Sequence, residues 1–552
     1  MKKILSILLI IAVSFYSCTD LQEEVLDEAL GEDLLGNDDI ADGLLAPVYA
    51  GMGGFWNSGT DYFALQEISS DEGILPYRGG TDWYDGGKYI ELHQHTYTAT
   101  HGIVSGCWEV FIRNASRALL AINKLSEIDT TAYATEIAEA KALYALNMSY
   151  LLDGWGLVLK KEAKDFGNSS VTSKVLRSTE AFNYLITLLD EAEPNLKLTN
   201  EIGSGRFSKG AVWALKSRLY LNKAVFVDPY APTHTFSSND MDQVITNCDK
   251  VINSSDYALE TKDYFKIFNA DNHNHPELIF ALDASLEANG SSRIPWFCLS
   301  LAHYASANYE NRGAQGADGM AITSEFYDSW AGNMDDPRFF HEYIPQKDTA
   351  INISDYTLNR GILTGQQWGI VPNTDGKDYK KDGGGKLIIE KLNAVQTGAL
   401  LIYTREVDLE GGVNSRHVSG YRASKYEYDP SSNTKNNGGV DIPFLRLGDV
   451  YLMKAEALLR KGQTDAAKNV VNTLRSARGA KPIGSLNLEQ MYKERGYEMY
   501  LEMVRRQDMI RFDKFELPLV SKTNNDISRR LFPIPQYAID ANPSLLIQNK
   551  GY

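Results

Sequence analysis

From about residue 103 onward, apolar residues recur at intervals of three and four, and the runs come in pairs. Stretches 104–128 and 132–152 each carry such a stripe, which predicts two amphipathic helices joined by a short turn. The same period returns over 179–198, 209–226 and 239–252, then after a long gap over 444–460, 465–477 and 488–515. In the unit from Tyr451 to Leu474, small residues (Ala455, Ala457, Ala467) fall where two helices would cross closely, and Gly462 stands between them. That is the layout of a tetratricopeptide-type hairpin. Several such pairs predict a short solenoid in which each pair covers its neighbour's apolar face.

Between 261 and 440 the helical period is lost. Gly, Asn, Asp, Ser and Tyr dominate, with turn signals at Asp318-Gly319, Asp375-Gly376 and Asp429-Pro430. Short runs at 387–390 and 400–404 read as strands. A stretch of this length without regular structure tends to be functional. Residues 46–100 share its loop-rich, aromatic character, so both are expected to rest on the helices and build one surface. The fold class is therefore mainly α: tetratricopeptide-like repeats supporting a large loop-rich region with a few short strands. The expected divisions are 46–260 (loops, then helices), 261–440 (irregular) and 441–552 (helices and tail).

The first residues carry an address. Lys2 and Lys3 precede an apolar run over 4–15, and Ser17-Cys18 follows. A positive start, about a dozen apolar residues and a small residue before the cut define a secretory signal, here 1–17. The run falls short of the ~20 residues that span a bilayer. A cysteine at the cut predicts a bacterial lipoprotein whose Cys18 is acylated, tying the chain to a membrane. No Lys or Arg occurs between Lys3 and Arg78, while acidic residues crowd 20–42. Residues 18–45 are expected to be a solvated, flexible tether.

Charge narrows the partners. The net charge of -17 argues against nucleic acid, whose phosphates would be repelled. Cys107, Cys248 and Cys298 are scattered and odd in number, so buried thiols are expected instead of a disulfide framework. The excess is aromatic, with 31 Tyr and 8 Trp, side chains that join a rigid apolar face to a polar tip.

Two C-terminal stretches carry a family resemblance. Glu494-Arg495-Gly-Tyr-Glu498-Met499-Tyr-Leu-Glu502-Met503-Val-Arg505-Arg-Gln-Asp508-Met509-Ile-Arg511 resembles the SusD/RagB helix pattern E-R-x-x-E-L-x-x-E-G-x-R-x-x-D-L-x-R, with Met503 where Gly is usual. Phe532-Pro533-Ile534-Pro535, Asn542-Pro543 and Gln548-Asn549-Lys550-Gly551-Tyr552 resemble the family's ending, with Ala538 in place of Glu and Lys550 in place of the last Pro. The loop with Ser70-Asp71-Glu72, Arg78 and Asp82-Trp83, and the segment from Lys209 to Tyr220, are also typical. The resemblance implies tetratricopeptide-like helices under a loop-rich binding face, oligosaccharide or polysaccharide as ligand, and no catalysis or cofactor. It also implies a partner, a SusC-like TonB-dependent outer-membrane transporter on which the protein sits as a lid facing the cell exterior. Read physically, Glu494, Glu498 and Glu502 lie at i+4 spacing on one predicted helix, a charge ladder expected to form internal salt bridges.

A sugar offers a C–H face and a rim of hydroxyls, so its site needs an exposed aromatic platform beside fixed donors and acceptors. Trp83 and Tyr84, with Asp71, Arg78 and Asp82, fit best, because Trp83 lies among glycines where no periodic pattern places it in a core. Asp71 and Arg78 either bond the sugar or pair with each other to pin the loop. A second cluster comprises Trp296, Tyr304 and Tyr309. Trp330 and Trp368 are further candidates, whereas Trp108, Trp155 and Trp213 fall in helical patterns and are expected in the core. His93, His95, His273 and His275 are read as surface histidines without a third metal ligand. The competing readings are a family member that binds peptide or glycopeptide, and a secreted helical glycoside hydrolase, which would need two carboxylates facing each other across a sugar.

Overall fold

The computed structural model describes residues 37–552, apart from 57–59, 80–82, 169, 285–292, 299–315, 375–377, 395–397, 411–417, 428 and 430–437. Cys18 and the stretch 1–17 expected to be a signal lie outside the described residues. The body of the molecule is 44–552; residues up to Gly43 form a separate unit. Helix α1 (Asn37–Trp56) begins within the stretch expected to be a tether. Leu45, Val48 and Met52 explain why: at helical spacing they give the acidic segment one apolar stripe, and all three are buried.

The paired helices form as the period predicts. α2 (Gly102–Asp129) packs along α3 (Ala134–Trp155), α3 along α4 (Ser178–Ala192), and α5 (Lys209–Val227) along α6 (Ser238–Ile252). α6 then meets α7 (Leu447–Arg460), which pairs with α8 (Thr464–Ala477). Gly462, at φ +75°, makes the left-handed turn between α7 and α8. Ala455, Ala457 and Ala467 are fully buried at the crossing, as their size requires. Trp108 and Trp155 stand edge-on at 5.7 Å in the core, and Trp213 is half-buried with its indole N–H on Glu193.

One predicted helix is broken. Over 488–515 the chain forms α9 (Leu488–Met499) and α10 (Arg505–Arg511), separated by Leu501 and Met503 at φ +59° and +60°. The carboxylates expected as a ladder on one face nonetheless converge. Glu498 and Glu502 both bond Arg446, while Arg338 joins Glu498 to Glu494. Burial alone would raise Glu498, but Arg478, Arg446 and Arg338 outweigh it and hold it well below the usual carboxylate range.

The irregular region contains more strand than its composition suggests. β1 (Leu278–Leu282) pairs antiparallel with β6 (Ile442–Arg446), fully buried and entering α7 directly. Further out, β2 (Arg360–Leu363) lies beside β5 (Arg422–Ser424), and β3 (Trp368–Ile370) beside β4 (Leu387–Lys391). Each sheet has two or three strands.

The tail closes the fold. Trp155 donates to the Pro533 carbonyl, Phe532 N–H to Gly154, and the Asn549 amide to both Trp155 and Phe532 carbonyls. Gly551 sits at φ +91°, and a Cβ there would lie 2.3 Å from Ser528 Oγ, so only glycine fits. Cys107, Cys248 and Cys298 are buried free thiols. Among the described residues no helix is long and apolar enough to cross a membrane.

Candidate functional site

The loop from Ile68 to Lys88 leaves a short helix, Tyr62–Glu67, and is fixed at its root. Ser69 and Ser70 hydroxyls donate to the Leu65 and Glu67 carbonyls, satisfying the helix end. Gly73–Ile74 then pairs with Ala321–Ile322 from the irregular region.

Beneath the loop lies a set of buried charges. Arg505 grips Asp71 with two bonds of 2.7 and 2.9 Å, and the Tyr492 hydroxyl adds a third at 2.8 Å. Glu67 and Glu72 accept from the N–H groups of Met503 and Leu501, the two left-handed residues between α9 and α10. Burial pushes the Glu67 carboxyl up to about 7, against the Met503 N–H that favours its charged form. Burial, then the charge of Glu67, raises Glu72 well above its ordinary range.

Arg78 is buried and spends its guanidinium on main-chain oxygens: Asp318, Gly319 and Ser419, at 2.9–3.0 Å. Asp71 and Arg78 therefore each anchor the loop through partners far along the chain, and do not pair with each other. Arg422 reinforces the same corner by bonding the Asp318 carboxylate and the Ser419 carbonyl.

Above these anchors the chain turns through Trp83 (φ +57°), Asp85 (+42°), Gly86 and Gly87. Trp83 is half-buried, contrary to the expectation that nothing would draw it to the core. Its indole N–H donates to the Ala317 carbonyl at 2.8 Å, and its ring stands edge-on to Tyr89 at 5.9 Å and Phe297 at 5.2 Å. Phe297 lies more than two hundred positions away, so no local pattern announces the contact. Tyr84 faces the other way, 50% exposed, with its ring edge-on to Tyr77 at 5.4 Å. Tyr77, held by its N–H on the Leu409 carbonyl, is the residue that sequence reasoning passed over.

Trp296 belongs to a short helix, Ile294–Cys298, whose Phe297 is the one packed on Trp83; the Trp296 side chain itself lies outside the described residues. Asp82, Tyr304 and Tyr309 also lie outside them. Trp330 is wholly buried against Tyr497 and Phe339. His93 and His95, expected at the surface, are buried on the Val520 and Ser69 carbonyls, and burial lowers both below the usual histidine range. His273 does find further oxygen ligands, which no local spacing signalled. Its Nδ1 is 3.0 Å from Asp441, and Asp283 brings a carboxylate into the same group. Burial pushes Asp441 up to about 6 even with His273 and the Ala284 N–H beside it.

The family comparisons agree with this architecture. The model described as the SusD family matches residues 374–552, which include both signature stretches. The starch-binding protein SusD of Bacteroides thetaiotaomicron is 26% identical over 441 residues, 75% of this chain and 72% of its own length. A SusD superfamily protein from Parabacteroides distasonis superposes with a TM-score of 0.69 at 20% identity, covering 94% of this chain and 100% of its own. Surface glycan-binding protein A from Bacteroides thetaiotaomicron, in complex with laminarihexaose, gives 0.61 at 18% identity over 93% and 99%. Paired helices beneath a loop-built face, in this order and closure, make the SusD-like fold. The chain is thus similar to the SusD family over its C-terminal third and to SusD-like proteins over most of its length.

Proposed function

We propose that this is a cell-surface glycan-binding lipoprotein that captures oligosaccharide or polysaccharide and delivers it to a TonB-dependent outer-membrane transporter, over which it sits as a lid. The observation that carries the reading is the exposed Tyr84 ring, braced by Tyr77, on a loop that Asp71 and Arg78 pin from beneath. Such a ring presents a flat apolar face to sugar C–H groups without having to order itself on binding. Trp83, packed on Tyr89 and Phe297 and bonded to the Ala317 carbonyl, holds the neighbouring backbone in place. The similarity to proteins named for starch binding and bound to laminarihexaose supports a glucan-type ligand. Anchoring rests on Lys2-Lys3, the apolar run and Cys18, whose acyl chains would hold the protein at the outer membrane.

Binding is read as separate from catalysis. Asp71 is locked to Arg505, and Glu72 is buried against the Leu501 N–H, so this pair does not face a sugar as a general acid and base.

The test is migration of the chain from residue 19 through native gels cast with laminarin, starch and other polysaccharides. Retardation by one glycan class, lost in Tyr84→Ala with unchanged melting, is the expected outcome. Free migration in every gel would overturn the reading, and capture of peptides alone would replace it with peptide import.

A further inference from the structure

A cleft on the β2–β3 side of the irregular region has the chemistry of a second sugar site, and nothing in the family motifs points to it. It encloses about 240 Å³ and is lined by Trp368, Gln366, Gln367, Thr364, Asn359 and Gln346, with Met334 and Asp335 at the rim. A 150 Å³ cavity admits benzene, so this one holds about one sugar ring.

Its side chains are fixed in a way that selects a ligand. The Gln367 amide N–H groups donate to the Thr364 and Gly365 carbonyls, and those of Gln366 to the Gln367 and Leu392 carbonyls. Because both amide nitrogens are spent on main-chain oxygens, each amide's orientation is set, and its own carbonyl oxygen remains as an acceptor for a hydroxyl. Asn359 is likewise immobilised, taking the N–H groups of Tyr343 and Ile344. Trp368 packs against the Ile370–Ile389 cluster yet stays half-exposed, and its indole N–H has no partner among the described residues. The one charged lining group, Asp335, is paired with Lys481. A neutral, hydroxyl-rich ring fits these uncharged acceptors, with the Lys391 ammonium, 5.6 Å from the Trp368 ring centroid, as a further donor beside it.

The cleft is also connected to the first site. Gln367 N–H bonds the Leu401 carbonyl, and eight residues later the Leu409 carbonyl receives Tyr77 N–H. A segment of that length spans at most about 30 Å.

We propose that the Trp368 cleft is a second saccharide subsite, which engages the same polysaccharide that lies on Tyr84 and Tyr77. The proposal rests on the glycan reading above. Two linked contacts on one long chain bind more tightly than either alone, by factors that reach hundreds.

The experiment compares wild type, Trp368→Ala and Trp368→Phe in gels of neutral polysaccharides, then by calorimetry with a trisaccharide of the retarding glycan. Trp368→Ala is expected to weaken polysaccharide affinity about tenfold or more. The trisaccharide is expected to fall from two bound per chain to one. Trp368→Phe, which keeps an aromatic face on β3, should restore most of the loss and guards against a folding defect. Retention of all three proteins alike, or one trisaccharide per chain in the wild type, would overturn the cleft and leave Tyr84 standing. No retention of the wild type by any glycan would overturn both.

Discussion

Tyr84 and Trp83 are neighbours with opposite environments, and the difference decides what a substitution at each should do. Tyr84 makes one ring contact and no buried bond, so Tyr84→Ala should weaken glycan binding by about tenfold while moving the melting temperature by no more than about a degree. Trp83→Ala removes a ring packed on Tyr89 and Phe297 and orphans the Ala317 carbonyl. It should cost about 3 kcal/mol of stability as well as affinity, visible as a lower midpoint in urea. At Met503 two effects compete. The left-handed backbone costs a non-glycine residue about 1–2 kcal/mol, yet removing a buried Met side chain costs about 2–5. Burial wins, so Met503→Gly, which restores the family's usual residue, should destabilise by about 1–3 kcal/mol in the same assay. Single residues were the least legible level of the sequence. Trp83, His93 and His95 owe their burial to partners hundreds of positions away, and periodicity sees only neighbours.

Helices were legible because their burial is periodic: α2 to α8 start and stop within a few residues of where the apolar stripe does. The break between α9 and α10 was hidden, since Glu498 and Glu502 keep helical spacing across a chain that has left the helix. What joins the elements is charge. Between α7 and α10, Glu456 takes two bonds from Arg511 and one from Arg460. Burial would raise Glu456, but those arginines prevail and bring it down to about 2 from 4.5. The unfolded chain then binds the extra proton, so this stabilisation is complete above about pH 4.5 and disappears as pH falls toward 2. Glu67, raised to about 7, has the opposite sign: its contribution falls as pH rises from 4.5 to 7. Melting curves should therefore show Glu67→Gln flattening the decline on the neutral side. Glu456→Gln should lose about 3 kcal/mol at pH 7, because buried Arg511 then keeps Asp508 as its anionic partner and Arg460 loses its own.

At the scale of the whole molecule, the C-terminal stretches carried the family signature, and the loops carry the proposed site. The tail is conspicuous because its residues have single purposes: Asn549 ties two strands of backbone to α3, and Gly551 fits where no side chain can. The proposed binding face draws on loops at 77–79, 83–87 and 317–319, brought together by Arg78 and short sheets, so only its residue types could be read beforehand. Trp368 was a candidate by residue type, but the cleft around it was hidden for the same reason. The proposed lipid anchor is tested at Cys18: Cys18→Ser should release the protein from the membrane fraction into the soluble one after expression in a lipoprotein-processing host.

The central claim, that the Tyr77–Tyr84 face binds glycan, is tested most directly by calorimetric titration of the wild type and Tyr84→Ala with laminarihexaose and with a starch-derived hexasaccharide. The account predicts saturable binding of a hexasaccharide by the wild type and a loss of about tenfold or more in the variant, with both proteins melting alike. Equal affinity in the two proteins, or binding only to peptides, would contradict it.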